Sequence, residues 1–283
     1  MKLNLSIIIT VYNNSDYLSR CLTNILKQSI LPDEIIIIDD GSKEKINLNQ
    51  IKKHKTKFKK IYLYRQKHSG PSAARNFGLK KSKCNLITFF DVDDEMLKDF
   101  IKKKMNILKK INLDSIIGIH SFFFKENKKI HFTEDRVKLK KIDLIGYYFY
   151  GISTILNNYI LIKKNVLKLK GFDRNLMINE DFDFFIRAIK NNFKIITLNS
   201  YDVRVNLTKN SLTRNKKINF VYSEQKKFLL KAKRLKYFTK NEQLKRERYL
   251  EFSTLKNLII QNQSFLKITM QMLKYFKIAI LKF

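Results

Sequence analysis

Residues 85–95, Asn-Leu-Ile-Thr-Phe-Phe-Asp-Val-Asp-Asp-Glu, pass from an apolar run of buried-strand length straight into four acids: Asp91, Asp93, Asp94 and Glu95. Carboxylates this close raise one another's pKa. A chain with 58 Lys and Arg against 25 Asp and Glu concentrates them here for a reason. A divalent cation supplies one. Asp91 and Asp93, two apart at a strand end, can splay around Mg²⁺ or Mn²⁺ that keeps waters and takes its other ligands from a diphosphate. An acidic helix N-terminus is the competing reading of the same four residues. A second acidic group, Glu180, Asp181 and Asp183, precedes Phe184, Phe185 and Ile186. It fits the start of a helix whose apolar face packs inward while the acids point into a cleft.

Strand-like and helix-like segments alternate through the first half of the chain. Residues 5–11, 34–39, 60–64 and 85–90 are short runs rich in Ile, Phe or Tyr, as expected of buried parallel strands. Residues 15–28 carry Tyr17, Leu18, Cys21, Leu22, Ile25 and Leu26 at helical spacing, with Ser15 placed to cap the helix. This order predicts an α/β fold with a mostly parallel sheet flanked by helices. Ligands of such sheets bind beyond the carboxyl ends of the strands. Tyr12 and Asn13, Asp39 and Asp40, Arg75 and Asn76, and Asp91 and Asp93 all fall there.

Four motifs in order, Ser-Ile-Ile-Ile-Thr-Val-Tyr-Asn-Asn (6–14), Asp-Asp-Gly-Ser (39–42), His-Ser-Gly-Pro-Ser-Ala-Ala-Arg-Asn-Phe-Gly (68–78) and Phe-Asp-Val-Asp-Asp (90–94), resemble the family 2 glycosyltransferases of the GT-A fold. The resemblance continues more loosely through Gly171-Phe-Asp and Asn179-Glu-Asp-Phe-Asp to about Thr213. It implies a Rossmann-like sheet and a metal-dependent, inverting transfer of sugar from a nucleotide sugar, a uridine diphosphate sugar above all. The acceptor would be a glycan or lipid-linked hydroxyl in bacterial surface-glycan synthesis.

The resemblance also implies roles. Val11, Tyr12 and Asn13 would line the nucleotide site, Val11 and Tyr12 flanking the base. Asp40 would accept a hydrogen bond from uracil, and Asp39 would support the turn. Arg75 would lie near the base or a phosphate, a structural pairing with an acid such as Asp40 being the alternative. Asp91 would sit near the ribose and Asp93 on the metal, with Asp94 left open as a substitute ligand. Asp181 would be the general base. Residues 201–213 resemble a loop that closes over the diphosphate, where Arg204 would reach a phosphate. Many relatives carry a His two residues after that Arg; this chain has Asn206, a poorer metal ligand. His68 and His120 receive no role.

Composition bounds the rest. The 283 residues are 44% hydrophobic, enough for a large core despite a net charge of +33. That charge favours polyanionic neighbours, namely phosphorylated substrates, an anionic membrane or nucleic acid, without choosing among them. The motifs favour the first, with no nucleic-acid partner. A basic nucleic-acid- or membrane-binding protein, or a catalytically silent homologue serving assembly, remains the alternative. Cys21 and Cys84 alone give no disulfide framework, in keeping with a reducing cytosol, and the run 5–12 is too short to span a bilayer. The expected organisation is a catalytic domain at 1–212, split into a nucleotide half (1–95) and an acceptor half (96–212), followed by a basic helical extension at 213–283. Within the extension, Leu266, Met270, Leu273, Phe276 and Ile280 share a face, while Lys267, Lys274 and Lys277 gather toward the other. Such a helix either lies on the inner face of the cytoplasmic membrane or packs on the catalytic domain. The aromatic run Tyr147–Tyr150 is either a sugar platform or core.

Overall fold

The computed structural model describes residues 2–125, 128–129, 156–206, 217–261 and 263–280. Tyr147–Tyr150 and most of the expected closing loop lie outside these residues. The chain forms two compact units, Met1–Asn175 with Glu180–Asn210, and Leu176–Asn179 with Ser211–Phe283.

The larger unit is built on one sheet. Its strands are β1 (Leu5–Val11), β2 (Glu34–Asp39), β3 (Ile61–Arg65), β4 (Leu86–Asp91), β5 (Glu95–Met96), β6 (Ile116–Lys125), β7 (Lys128–Lys129), β8 (Tyr159–Ile162) and β9 (Lys194–Val205). They lie in the order β3-β2-β1-β4-β8-β6-β9-β5, with β7 beside β6. The β3-β2-β1-β4 half is parallel throughout, as its apolar runs predict. Beyond β4 the sheet is mixed: β8 runs antiparallel to β4 and β6, β5 antiparallel to β9, and β6 parallel to β9.

Alternation along the strands divides the core. Leu5, Ile7, Ile9 and Val11 of β1 pack on one face with Leu18, Cys21, Leu22 and Ile25 of α1 (Leu18–Leu26) and Phe100, Ile101, Met105 and Leu108 of α4 (Phe100–Leu108). Ile8, Ile36, Ile38, Ile87 and Phe89 face the other way. They meet Ala74 and Leu79 of α3 (Pro71–Lys81), Val166 of α5 (Lys163–Lys168) and Phe184, Phe185 and Ala188 of α6 (Glu180–Lys190). Each fully buried Ile contributes roughly 1.5–3 kcal/mol relative to exposure, and the central strands carry them on both faces. The helix α2 (Asn49–Lys55) completes the unit. Gly78 brings α3 close to the sheet, since a Cβ there would run into the Ile8 side chain. Ser15 does not cap α1: residues Ser15–Tyr17 form a 3-10 turn, and the α-helix begins at Leu18 with no side-chain cap.

The smaller unit carries α7 (Ile218–Arg234), α8 (Lys240–Ile260) and α9 (Phe265–Ile280). A capping box starts α8, in which the Thr239 hydroxyl accepts from the Glu242 N–H and the Glu242 carboxylate accepts from the Thr239 N–H. Among the described residues no helix is long and apolar enough to cross a membrane.

One buried ion pair fastens the mixed half of the sheet. Lys104 of α4 and Asp202 of β9 are both fully buried, their Nζ and Oδ2 2.9 Å apart, with Ser121, Ser200 and Lys103 completing the hydrogen bonds. Burial lowers the Lys104 pKa to about 8 even with Asp202 opposing it. Breaking such a pair strands an uncompensated charge. Asp202→Asn should therefore cost about 3–5 kcal/mol in denaturant unfolding, while the double variant Lys104→Met/Asp202→Leu should recover most of the loss.

Candidate active site

The carboxyl ends of β1, β2 and β4 finish level, Val11 beside Asp39 and Thr10 beside Asp91. Because β2 and β4 flank β1 on opposite sides, the chain reverses direction across the sheet at this point, and the crevice there is where open α/β sheets take ligands.

On the β1–β2 side the acids build the loop. Asp39 accepts from the Ser42 N–H at 2.9 Å and from Arg65 Nη1 at 2.6 Å, so it supports the turn as expected. Asp40 is more heavily engaged than anticipated. Its Oδ1 accepts from Gln66 Nε2 and the Ser69 N–H, and its Oδ2 from the Gly70 N–H, with His68 Nδ1 at 2.9 Å. These four partners fill the acceptor positions of a carboxylate, so a uracil N–H would reach Asp40 only by displacing one of them. Gly41 allows the approach: its φ is +74°, and a Cβ would lie 2.5 Å from the His68 nitrogen.

Val11 differs from expectation. Its side chain is buried in the core and its carbonyl accepts from the Asp40 N–H, so it shapes the strand end and presents no side chain to a base. Asn13, with φ 56°, donates its N–H to the Ser42 hydroxyl and accepts from the Lys43 N–H, pinning the 39–43 turn. Tyr12 is the exposed aromatic of this group. It stacks on His68 with centroids 4.0 Å apart and planes 13° from parallel. His68 was passed over in the sequence because an isolated His carries little information; its place in the His-Ser-Gly-Pro loop was the available signal.

On the β4 side, burial sorts the acidic run. Asp94 is buried: its Oδ1 accepts from the Asn206 N–H at 2.9 Å and its Oδ2 from Asn157. Burial, together with the charges of Asp91 and Asp93, raises its pKa to about 8. Asp91 and Asp93 are half-exposed. Asn206 donates its side-chain amide to the Asp93 carbonyl at 2.8 Å and clamps the acidic turn. Arg204 pairs with Glu95 at 2.5 Å across the β5–β9 ladder, so a phosphate would have to draw it from that carboxylate.

Among the described residues no three His, Cys, Asp or Glu side chains gather as a ready-made metal site. A hard divalent cation of the Mg²⁺ type needs only one or two protein carboxylates, its other ligands coming from water and substrate oxygens. Asp91 and Asp93, half-exposed hard-oxygen donors two residues apart at the end of β4, fit Mg²⁺ or Mn²⁺.

Arg75 joins this group to the second acidic cluster. Placed in α3 by the tight Gly70–Pro71 start, it is buried, with Nη1 2.6 Å from Glu180 Oε1 and Nη2 3.6 Å from Asp91 Oδ1. Phe172 stacks beneath it at 5.7 Å. The alternative pairing with Asp40 is not the one formed. Of the three acids opening α6, Glu180 is thus taken by Arg75. Asp183 is fully buried against Arg187 at 2.8 Å, and Arg187 in turn holds the Leu169 and Gly171 carbonyls. Asp183 therefore does not point into the cleft. Asp181 is half-buried, accepting from the Phe182 N–H at 2.7 Å. Burial and the neighbouring Glu180 charge raise its pKa to about 7, partly opposed by Arg75. His120 is structural: it is buried, stacked on Tyr159 and 2.8 Å from the Thr197 hydroxyl.

A family model described as Glycosyl transferase family 2 matches residues 6–170. A glycosyltransferase of Haemophilus influenzae is 32% identical over 187 residues, 66% of this chain and 72% of that protein. The poly(ribitol-phosphate) beta-N-acetylglucosaminyltransferase TarP of Staphylococcus aureus is 33% identical over 211 residues, 71% of this chain, which spans 62% of TarP's length. Staphylococcus aureus TarS in complex with UDP-GlcNAc matches with TM-score 0.64 at 17% identity, over 90% of this chain and 73% of that one. The mannosyltransferase PcManGT of Pyrobaculum calidifontis, in complex with GDP-Man and Mn²⁺, matches at 0.60 and 13% identity, over 91% and 72%. At these identities the structural likeness speaks to the fold, and the family match speaks to descent. With the parallel β3-β2-β1-β4 half of the sheet, its switch point at β1/β4 and that match in agreement, the chain belongs to glycosyl transferase family 2 and has the GT-A fold.

Proposed function

We propose that this glycosyltransferase moves a hexosyl or N-acetylhexosaminyl group, with inversion, from a uridine diphosphate sugar to a hydroxyl of a glycan or lipid-linked acceptor in bacterial surface-glycan synthesis, at the inner face of the cytoplasmic membrane. One observation carries the reading: a single buried guanidinium, Arg75, lies between Glu180 and Asp91, while Asp181 next to Glu180 stays half-buried with a pKa near neutrality. The donor class is supported by the UDP-GlcNAc held by TarS and by the activity in TarP's name. Catalytic organisation follows the same division, residues 1–212 for transfer and 213–283 as a basic helical extension.

Tyr12, paired with His68, offers a ring face to the base, and Asn13 and Asp40 hold the turn beneath it. Arg75 and Arg204 supply positive charge toward the diphosphate side, and Asp91 lies toward the ribose. Asp93, with Asp91, would hold the divalent cation; Asp94 is too deeply engaged to do so. When bound, that cation would offset charge developing on the departing diphosphate. Asp181 takes the proton of the acceptor hydroxyl as its oxygen attacks the anomeric carbon opposite the leaving diphosphate. One C–O bond forms as the other breaks, and the configuration inverts.

Asp93→Ala should weaken Mn²⁺-dependent binding of UDP, measured by calorimetry, by more than about tenfold. Asp181→Asn should leave that binding intact and abolish transfer; the reverse pattern in the two variants would refute the division of roles. A base must be ionised to accept a proton, so transfer should rise with pH through about 7 and then level off. Arg75→Gln removes a cation that favours the ionised form, so its pH–rate limb should move to higher pH. A limb that stays put would show that Arg75 does not act on Asp181.

A further inference from the structure

The covered side of α9 is centred on a polar residue. Its one fully buried side chain among the described residues is Gln271, whose amide donates to the Glu251 side chain at 2.6 Å and to the Glu251 carbonyl at 3.0 Å. Tyr222 of α7 donates its hydroxyl to the other Glu251 oxygen at 2.9 Å. The seam between α8 and α9 thus has a satisfied polar network at its centre, with Ile268, Tyr275 and Ile278 half-buried on the same side of α9. Leu266, Met270, Leu273 and Phe276 fall on the opposite flank at 100° per residue and are 50–69% exposed. On α8, Tyr249, Phe252, Ile259 and Ile260 are exposed too. The rings of Phe252, Tyr275 and Phe276 follow one another at 5.9 and 5.7 Å, joining the two stripes into one surface. An apolar patch of this extent on a basic unit marks an interaction site.

Charge chooses the occupant. Residues 264–280 contain no acid; Lys267 and Lys274 flank one margin of the α9 stripe, Lys274 with its ammonium 5.2 Å from the Tyr222 ring, and Lys277 falls within the stripe. The nearby acid, Glu251, is buried on the other side of the helix. A second copy of this surface would bring lysines toward each other, whereas lipid phosphates complement them. Lysine stems can lie along an apolar face with the ammonium at headgroup level. We infer that the outward faces of α8 and α9 dock the protein on an anionic lipid bilayer, with Leu266, Met270, Leu273 and Phe276 entering the acyl boundary and Lys267 and Lys277 meeting lipid phosphates. This rests on, and makes specific, the membrane-side location in the proposed function.

The test is co-sedimentation of the full chain with phosphatidylcholine vesicles, with and without added phosphatidylglycerol, alongside UDP-sugar hydrolysis and sedimentation equilibrium. Binding should require the anionic lipid and weaken with salt. Lys267→Gln/Lys277→Gln should lower affinity about fivefold per charge, on the order of 25-fold together. Leu266→Ser/Leu273→Ser should lower it by more than about tenfold. Both variants should hydrolyse donor at the wild-type rate. Equal binding to neutral vesicles, or no vesicle binding, would overturn the inference; self-association abolished by Leu266→Ser/Leu273→Ser would assign the surface to a second copy instead. Vesicle binding without donor hydrolysis would defeat the proposed enzymatic function and leave the docking surface standing.

Discussion

The guanidinium of Arg75 is the contact on which the candidate site depends. Its planar fork reaches Glu180 at the start of α6 and Asp91 at the end of β4, two carboxylates 89 residues apart in sequence. A buried cation between two acids stays charged, because the acids offset its desolvation. The pairing also fixes geometry that neither acid could impose alone. It ties α3 to the first turn of α6, and so sets Asp181 against the same crevice as the acidic end of β4. A lysine, with one compact ammonium, could not span the two partners in this way.

Around that contact, solvent access divides the work among carboxylates that look alike in sequence. Asp39, Asp40, Asp94 and Asp183 are buried and bonded to backbone amides or to arginine, where they fix loops. Asp91, Asp93 and Asp181 remain half-exposed at the crevice. The cost of burying an unpaired carboxylate enforces the split, since an acid that leaves water must acquire donors, and having acquired them it is less available to substrate or metal. Asn206 belongs to the same economy: its amide holds the acidic turn closed by bonding the Asp93 carbonyl.

The smaller unit follows a different rule. Its core holds Phe228 and Leu229 of α7, Leu250 and Leu258 of α8 and the Glu251–Gln271–Tyr222 network, while a second set of large apolar side chains on α8 and α9 turns outward. Satisfied buried polar groups specify register between helices; apolar groups facing water do not stabilise the free protein and gain only when covered.

The parallel half of the sheet was legible in the chain. Runs such as Ile7-Ile8-Ile9 and Ile35-Ile36-Ile37-Ile38 encode strands buried on both faces, and the motifs at their carboxyl ends fall at the crevice by sheet topology alone. Local rules failed where partners come from afar. Val11 reads as a site residue but is core, Asp183 reads as a cleft acid but is locked to Arg187, and His68 reads as an isolated His yet stacks on Tyr12. Sequence by itself determined which residues could carry charge, where the strands end and which helix faces are apolar, because these follow from side-chain chemistry and a period of two or 3.6. Only the tertiary structure decided which carboxylates keep access to solvent, which acid Arg75 engages and which face of α9 is left uncovered. Those depend on desolvation and on donors brought from distant segments, and neither is encoded in local spacing.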